Sequence, residues 1–388
     1  MSNLPAFWRC LRCGTPNPSA NYLTRCVSCG DRRPKPEDVA QAVSQAELKP
    51  LRVGTTPRWL TSMVLITLTS TLVLTWILRT ASGPAWVLAP LMLFPRSVWL
   101  AIPGVALLAS LVMRRWKPAL ISAVGVVLVL GPIMDFRLPW TRVFGEEPIG
   151  QVVRIMTLNF GSYPINVERL RQLVAQERID VLCFQELADN NPAFVAYLRE
   201  GWYVSSNNKL ASRFPILEEY PGMVQDSLDS GRYVGELTRV RVRLPNGRES
   251  ILASVHLPTL KPGLIPLKNF EVQRINLLWP WWDRQMSRTI DMLMERPALS
   301  FLAGGDFNMP AEHPRFQAYG PALHLAFNEV GFGYGYTRGT RMPWVRIDHV
   351  LGSAEWRFTR CWLGPFLGSD HLPVIAEAVF SSSSSKAH

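Results

Sequence analysis

The stretch LSFLAGGDFN, residues 299–308, decides the fold class. It has the pattern of an apolar β-strand, and it ends on two polar side chains, Asp306 and Asn308. The same pattern recurs along the chain in RIMTLNF, DVLCFQE, ASVHLPT, RIDHVL and GSDHLP. The polar residues in these runs are Asn159, Glu186, His256, Asp348 and the pair Asp370 and His371. One polar residue at a strand–loop junction means little, but this repeated mixture predicts a single site at one edge of a sheet.

The residue types in these runs indicate metal-assisted chemistry. Carboxylate and amide oxygens are the ligands that a hard divalent cation such as Mg²⁺ prefers. Two histidines beside such a cation suit the cleavage of a phosphate ester, because one can handle a proton while the other holds the phosphoryl oxygens.

The order of these motifs resembles the endonuclease/exonuclease/phosphatase superfamily. These are Mg²⁺-dependent phosphodiesterases that include DNase-like nucleases, neutral sphingomyelinases and inositol-polyphosphate phosphatases. The matching stretches are TLNF, DVLCFQEL, ASRFPI, SVHLPT, GGDFN, RIDHVL and GSDHLPV, and together they cover residues 150–380. The resemblance implies an α/β four-layer sandwich, in which two facing β-sheets are flanked by helices and the site lies at one end.

The resemblance also assigns a metal site. Glu186 is the expected direct ligand of Mg²⁺ or Mn²⁺, and Asn159 is expected beside it as a ligand or a phosphate contact. Asp370 is expected within reach of the metal. Some relatives carry an acid two residues after the asparagine, where this chain has Gly161, so one metal ion is expected rather than two.

The remaining motif residues are expected to act on the substrate. Asp306 and Asn308 would position or deprotonate the attacking water. His371, oriented by Asp348, resembles the active-site imidazole of the family, and His256 would donate to a nonbridging oxygen.

Arg213 in ASRFPI is a candidate substrate-binding residue, and a structural salt bridge is an equal alternative. Residues 165–179, between the first two strands, have the periodicity of a helix whose apolar face includes Val167, Leu170 and Leu173.

The N-terminal segment, residues 1–34, predicts a small zinc finger. Its four cysteines are Cys10, Cys13, Cys26 and Cys29. Two Cys-x2-Cys knuckles can close a tetrahedral zinc site, and so short a segment cannot build a core without one. The pattern resembles the Ran-binding-protein type of finger, although its spacer is longer, and no ligand of the finger can be assigned. Residues 35–58 have the composition of a linker, and the tail 381–388 that of a disordered segment.

Residues 59–134 predict a transmembrane region. The runs 59–78, 97–113 and 118–134 carry no charge, and the basic turn Arg114–Lys117 joins the last two. Residues 84–95 are apolar but proline-rich, and we interpret them as an interfacial lead-in; a fourth span would reverse the side of everything that follows. Because basic flanks favour the cytoplasm, three spans predict a cytoplasmic N-terminus and an extracytoplasmic catalytic domain, most simply in a bacterial inner membrane.

The charge distribution helps to separate the possible functions. Of 41 Lys and Arg against 30 Asp and Glu in the whole chain, residues 141–388 carry 26 against 25. A near-neutral catalytic region is unusual for a nuclease that grips a duplex. The leading hypothesis is a membrane-tethered hydrolase of a lipid or lipid-linked phosphate or pyrophosphate. The alternatives are an extracytoplasmic nuclease and a non-enzymatic membrane scaffold that recruits a partner through the finger.

One further expectation concerns lipid contact. Leu260, Leu264, Ile265 and the segment 279–282, which contains three tryptophans, could form an apolar lip of the site at the bilayer interface. Packing of these residues in the interior of the domain is the alternative.

Overall fold

The structure is a computed structural model of the 388-residue chain. It describes residues 7–10, 12–13, 15–18, 24–35, 37, 57–80, 95–145, 148–161, 163–187, 192–220, 222, 235–259, 272–296, 298–339 and 344–380. The chain forms two compact units, Met1–Pro57 and Arg58–His388. The predicted tail, the proposed interfacial segment up to residue 94 and nearly all of the predicted linker lie outside the described residues.

The first unit is built around the four cysteines. Strands β1 (Phe7–Arg9) and β2 (Pro16–Pro18) pair antiparallel and precede the second knuckle. The sulfur of Cys10 lies 3.5 Å from that of Cys29, and the sulfur of Cys13 lies 3.6 Å from that of Cys26. Thiolates about 2.3 Å from a tetrahedral zinc stand about 3.8 Å apart, so the cluster fits the predicted zinc finger.

An asparagine secures the second knuckle of the finger. Buried Asn17 accepts a hydrogen bond from the Val27 amide at 2.9 Å and donates to the Cys26 sulfur at 3.6 Å. These bonds hold the backbone of the second knuckle beside the Cys26 sulfur. A metal-bound thiolate requires support of this kind.

The second unit begins with a bundle of apolar helices. They are α1 (Arg58–Thr80), a 3₁₀ turn (Arg96–Leu100) that continues into α2 (Ala101–Val112), and α3 (Trp116–Leu128), which ends in a π-helical turn (Val129–Ile133). Among the described residues, Arg58–Trp76 and Trp116–Ile133 are long and apolar enough to cross a membrane, and Arg96–Val112 is shorter. The sequence predicted three spans; two of these helices have the length of a span and the middle one is shorter, so the number of crossings stays a prediction.

The α/β part follows the short helix α4 (Trp140–Phe144). Its strands are β3 (Gln151–Asn159), β4 (Val181–Gln185), β5 (Tyr203–Val204), β6 (Leu210–Ser212), β7 (Ile216–Tyr220), β8 (Glu236–Arg243), β9 (Glu249–His256), β10 (Ser300–Asp306), β11 (His324–Leu325), β12 (Asp348–Gly352), β13 (Trp356–Leu363) and β14 (Val374–Phe380). Its helices are α5 (Val167–Glu177), α6 (Pro192–Leu198), α7 (Val272–Met294), α8 (Pro314–Ala318) and α9 (Ala326–Val330), with a 3₁₀ turn at Gly320–Ala322.

The strands form two six-stranded sheets. One has the order β11-β12-β10-β9-β8-β7, and the other has the order β13-β14-β3-β4-β6-β5. Each sheet contains a parallel pair, β9 with β10 and β3 with β4. A parallel pair needs a crossover, and α7 and α5 supply it. The predicted helix over 165–179 is therefore confirmed; it begins where the Asn166 side chain accepts the Arg169 amide at 3.0 Å.

The core lies between the sheets and also beneath the helices that flank them. Val153 and Ile155 of one sheet share a buried cluster with Leu252 and Leu302 of the other. Leu170, Leu173 and Val174 of α5 pack on one outer face, whereas Met286 and Ile290 of α7 pack on the opposite outer face. This is the four-layer sandwich that the sequence predicts.

A glycine allows the close approach of the two sheets near the polar edge. A Cβ atom at Gly304 would lie 3.0 Å from the Thr157 Cβ and 3.4 Å from the Cys183 sulfur. Cys183 is fully buried there, where its thiol packs as a small apolar group.

The register of the strands gathers the predicted polar residues. Asn159 pairs with Gln185, the residue before Glu186, at the end of the β3–β4 pair. Asp306 pairs with His256 on one side and with Asp348 on the other. Since parallel strands end at the same edge, the motif residues of both sheets meet at one end of the sandwich.

Candidate active site

Asn159 joins the two sheets at the polar edge. It is fully buried, and its side-chain nitrogen donates to Glu186 Oε1 at 3.1 Å and to Asp306 Oδ2 at 2.9 Å. Its side-chain oxygen accepts the Gly161 amide at 2.7 Å. The amide group therefore holds a carboxylate from each sheet at a fixed position.

Glu186 pairs with His256 across the sheets. His256 Nε2 lies 3.4 Å from Glu186 Oε1. This contact and the bond from Asn159 lower the pKa of Glu186 to about 2, so the carboxylate stays ionised. Burial alone would lower the pKa of His256, but its partner Glu186 and the nearby Asp306 outweigh burial and raise it.

His371 and Asp348 form a second buried pair. The Nδ1 atom of His371 lies 2.8 Å from Asp348 Oδ2 and 3.1 Å from Oδ1, and both side chains are at most 1% exposed. Burial opposes the charged imidazole, but the Asp348 carboxylate prevails and raises the pKa of His371 to about 9. The carboxylate thus fixes the ring so that Nε2 faces the site, 3.8 Å from Asp306 Oδ2.

Asp306 lies between the two histidine pairs. Burial and then the charge of Asp348 raise the pKa of Asp306, although His371 and His256 oppose the shift. Its Oδ1 atom accepts the Asn308 amide at 2.7 Å. A carboxylate whose pKa is raised in this way is a better proton acceptor than an ordinary aspartate.

Asn308 is held in an unusual backbone conformation. Its φ is +48°, and its side-chain nitrogen donates to the Leu257 carbonyl at 2.7 Å. Glu186 also has a positive φ, +48°. Left-handed residues other than glycine are uncommon, and they concentrate where a side chain must be aimed at a functional site.

Asp370 and Arg338 complete the site. Arg338 binds Asp370 Oδ2 at 2.7 Å through Nη2, and its Nη1 contacts His371 Nε2. The other carboxylate oxygen of Asp370 is buried and has no hydrogen-bond partner among the described residues. Gly161, with a φ of +60°, lies directly against this oxygen, since a Cβ there would approach it to 2.6 Å.

The donor set fits a hard divalent cation. Two groups of potential ligands share Asp306, with Glu186 and His256 in one and Asp348 and His371 in the other, and within each group the ligand atoms lie within 4.8 Å of one another. The free oxygen of Asp370 is the kind of orphaned acceptor that a cation satisfies. The assignment of Glu186, Asn159 and Asp370 as its ligands stays a prediction.

Arg213 is not brought to the site. Ser212, which precedes Arg213 in the chain, pairs with Val181 at the start of β4. Glu186 follows the far end of that strand, about 16 Å from Val181 at 3.3 Å per residue. The guanidinium stacks 3.8 Å from the centre of the Trp202 ring and donates to the Gly201 carbonyl at 2.8 Å. These contacts give Arg213 a structural role, and its predicted phosphate contact is corrected accordingly.

No described residue supports the predicted apolar lip. Trp281 lies on α7 and is buried in the core with Met286. Leu260, Leu264 and Ile265 lie outside the described residues. For Trp281, packing within the domain is the correct alternative.

The sequence missed three residues that support the site. Arg338 contacts His371, the Thr337 hydroxyl accepts the Asp348 amide at 3.2 Å, and the Ser369 hydroxyl accepts the His371 amide at 3.0 Å. Ser369 precedes the Asp-His pair and could have been noticed. Arg338 and Thr337 lie in a loop without a periodic pattern, so only the fold reveals them.

Comparison with known proteins agrees with this geometry. The sequence profile described as the Endonuclease/Exonuclease/phosphatase family matches residues 156–371. No curated protein sequence matches the chain.

Among solved structures, an endonuclease/exonuclease/phosphatase family protein from Bacteroides thetaiotaomicron is 15% identical to this chain, with a TM-score of 0.42. The match covers 61% of this chain and all of the other. The human Nocturnin catalytic domain with bound sulfate is 16% identical, with a TM-score of 0.40, over 63% of this chain and all of that one. A mannosyl-6-phosphatase from Bacteroides thetaiotaomicron is 15% identical, with a TM-score of 0.39, over 59% of this chain and all of that one.

The profile match spans more than half of the chain and contains every residue of the site from Asn159 to His371. This chain therefore belongs to the Endonuclease/Exonuclease/phosphatase family, whose members are hydrolases of phosphate esters and nucleic acids.

Proposed function

We propose that this protein is a membrane-tethered, Mg²⁺-dependent hydrolase that cleaves a lipid phosphate or a lipid-linked phosphate or pyrophosphate. The observation that carries the proposal is the contact between the apolar helix bundle and the loops that hold the active site. A bundle that lies in a bilayer would, through this contact, keep the site beside the membrane.

The packing of the bundle supports the membrane assignment. Besides large aliphatic residues such as Leu60 and Val64, its buried positions hold many small or hydroxylated side chains: Thr67, Thr71, Ala106, Ser110, Ala119 and Ser122. Large aliphatic side chains point outward, for example Ile66, Leu108 and Val127, each more than 60% exposed. Small residues let helix backbones approach closely, and only lipid accommodates so many exposed aliphatic groups without cost.

Buried ion pairs connect the bundle to the catalytic sandwich. Arg96, at the start of the second helical segment, pairs with Glu312 and donates to the Ile133 carbonyl at 3.0 Å. Asp135, just after the third segment, pairs with Arg346. Removing one partner of a buried ion pair strongly destabilises the folded protein. These contacts therefore favour one fixed arrangement of bundle and sandwich.

The residues that receive the bundle are close in sequence to the site. Glu312 follows Asn308 by four residues, and Arg346 precedes Asp348 by two. The Tyr336 hydroxyl donates to the Met134 carbonyl at 2.9 Å, and Arg338 follows two residues later. The site therefore lies near the end of the bundle that meets the sandwich.

The basic turn at one end of the bundle supports the proposal of an extracytoplasmic site. At one end, Leu60 and Val64 of α1 pack near Met113, beside the basic turn Arg114–Lys117. At the other end, Leu74 packs with Ile133 and the sandwich. Since basic ends favour the cytoplasm, the finger would lie inside, and the catalytic sandwich outside, most simply across a bacterial inner membrane.

The side chains of the site can divide the chemistry of an in-line displacement at phosphorus. A bound Mg²⁺, held by Glu186 with Asn159 and Asp370, would supply positive charge for the phosphoryl oxygens. Asp306, steadied by the Asn308 amide, is placed to orient and deprotonate the attacking water. His256 is placed to donate to a nonbridging oxygen on which negative charge develops, and His371, oriented by Asp348, is placed to handle a proton.

The proposal is tested by reconstituting the full chain into vesicles with Mg²⁺ and measuring phosphate release from a panel of substrates. The panel contains a lipid pyrophosphate, sphingomyelin, inositol phosphates and DNA, with the Glu186→Gln variant as the control. We expect a membrane-embedded phosphate to be cleaved best, because the site lies beside the bundle. Efficient cleavage of DNA without cleavage of any lipid would reject the proposal in favour of a nuclease.

A further inference from the structure

An exposed aromatic surface continues from the end of the third helical segment onto the catalytic sandwich. It comprises Phe136, Trp140, Phe144 and Phe332, and we call it the juxtamembrane aromatic surface. Phe332 is 70% exposed, Phe144 77% and Trp140 59%. None of these residues belongs to the proposed active site.

The aromatic residues of the surface contact one another in two pairs, and hydrogen bonds link the segments that carry them. The Phe136 and Phe332 rings meet edge to face with centroids 5.7 Å apart, and Trp140 stacks on Phe144 at 5.8 Å. Two backbone hydrogen bonds, of 2.9 and 3.0 Å, join Arg137 to Gly333. The Thr141 hydroxyl donates to the Glu329 carbonyl at 2.6 Å, which holds α4 against α9. These bonds hold the segments that carry the aromatic residues against each other.

We infer that the juxtamembrane aromatic surface inserts into the headgroup layer of the same bilayer that holds the helices, so that the catalytic sandwich lies on the lipid surface. This inference rests on the proposed function and names the surface by which that function reaches its substrate. Phe136 comes only three residues after Ile133, the last residue of the apolar segment.

The composition of the surface matches the chemistry of a membrane interface. Aromatic side chains concentrate at the level of the headgroups, where the ring contacts the acyl boundary and polar groups stay hydrated. Exposed Arg142 lies in the same segment, where its guanidinium can meet lipid phosphates. Four aromatic residues left exposed together would be unfavourable in water. A lipid surface removes that penalty without any new partner.

The surface also lies close to the site. Phe332 and Arg338 belong to one loop, and Tyr336 of that loop holds the Met134 carbonyl at the helix end. Arg338 comes two positions after Tyr336, a distance of at most about 7 Å along the chain. A surface seated among headgroups therefore presents the Arg338–His371 side of the site to phosphates of the bilayer.

A fluorescent-label experiment tests this inference directly. Phe332→Cys in the full chain is labelled with an environment-sensitive fluorophore and reconstituted into vesicles, and quenching by lipids brominated near the headgroup is measured. The matched control is Tyr203→Cys, which replaces an aromatic residue that is 49% exposed. Tyr203 lies on β5, at the opposite sheet edge from β13, about 24 Å away across five strand spacings.

We expect strong quenching and a blue shift at position 332, and neither at position 203. The unsubstituted chain measures background labelling of the native cysteines. Equal, weak quenching at both positions would overturn the inference. A blue shift without lipid quenching at position 332 would also overturn it, because it would indicate that protein covers the surface.

A second measurement separates the inference from the proposed function. In the double variant Phe144→Ser and Phe332→Ser, we expect a several-fold loss of turnover on a vesicle-embedded lipid phosphate and unchanged turnover on a small soluble phosphodiester. If position 332 is quenched but no lipid is cleaved, the surface is correct and the proposed function is wrong. If the double variant cleaves lipid at full rate and position 332 is not quenched, the proposed function is correct and the inferred surface is wrong.

Discussion

The helix bundle and the catalytic sandwich differ in the side chains that they expose. The sandwich buries large groups such as Trp356 and Phe184, whereas the bundle buries the hydroxyl-bearing Ser110 beside residues such as Leu60 and exposes Leu108. The two regions of one compact unit therefore follow different rules for which types of side chain are exposed. The difference teaches that burial must be judged against the solvent of each region, which is water for the sandwich and, in our proposal, lipid for the bundle.

The first prediction removes the charge of Glu186, which the sandwich uses for chemistry rather than for packing. Glu186→Gln is expected to lower kcat by about 10²- to 10³-fold, as the loss of a charge-stabilising group does. The fold should persist, because Glu186 is only partly buried and its neighbours are polar. Turnover is measured with Mg²⁺ in vesicles, and circular dichroism checks the fold. Comparable turnover in the variant would contradict the metal assignment.

The second prediction contrasts two exposed leucines. Leu108→Asp, near the middle of the second apolar segment, should cost about 2.5–3.5 kcal/mol of membrane insertion. Leu217→Asp, on β7 of the sandwich, should change stability by no more than about 0.5 kcal/mol, because that side chain faces water. Leu108 is 63% exposed and Leu217 36%, so exposure alone would predict the smaller effect at Leu108. The measurements are protein level, resistance to alkaline extraction from membranes, and thermal unfolding in detergent. Equal tolerance of both substitutions would break the comparison.

How far the sequence predicted the molecule depends on the range of the interactions involved. Strand ends such as Asn159 and Asp306 were predictable, because apolar periodicity and a polar stop are local patterns. The location of Arg213 was not, because it depends on the antiparallel register of β4 and β6. The pairing of Phe136 with Phe332 joins segments almost 200 residues apart, so the sequence could not indicate this surface.

The third prediction concerns a buried histidine of the sandwich that lies outside the proposed site. His349 follows Asp348 but packs against Phe307 and Phe316, and its Nε2 atom lies 2.8 Å from the Met309 carbonyl. Burial lowers its pKa to about 4 from an ordinary 6.5. Between these two pKa values the unfolded chain binds the extra proton, so this histidine makes the fold less stable as the pH falls from 6.5 toward 4.

From pH 7 to pH 5 this contribution amounts to about 2 kcal/mol, at 1.36 kcal/mol per pKa unit. His349→Gln can keep a donor for the Met309 carbonyl without titrating. We therefore expect the variant to lose less stability than the native chain over this pH range, measured by thermal unfolding in detergent micelles. Parallel pH profiles for the two proteins would show that His349 is not buried as a neutral ring.

The smallest expected effect lies in the finger, the compact unit that is separate from both regions compared above. Cys10→Ser removes one of the four sulfurs, so about one zinc per chain should be released and the amide protection of residues 24–35 should fall. Hydrolysis should not change, since the proposed topology places the bilayer between the finger and the catalytic site. Zinc content is measured by metal analysis, and turnover is measured in vesicles at matched protein level. Cys183→Ser is the control, because that buried thiol belongs to the sandwich and cannot hold the finger's zinc. A loss of turnover in Cys10→Ser that follows the loss of zinc would mean that the finger acts on the site, and the proposed separation by the membrane would have to be abandoned.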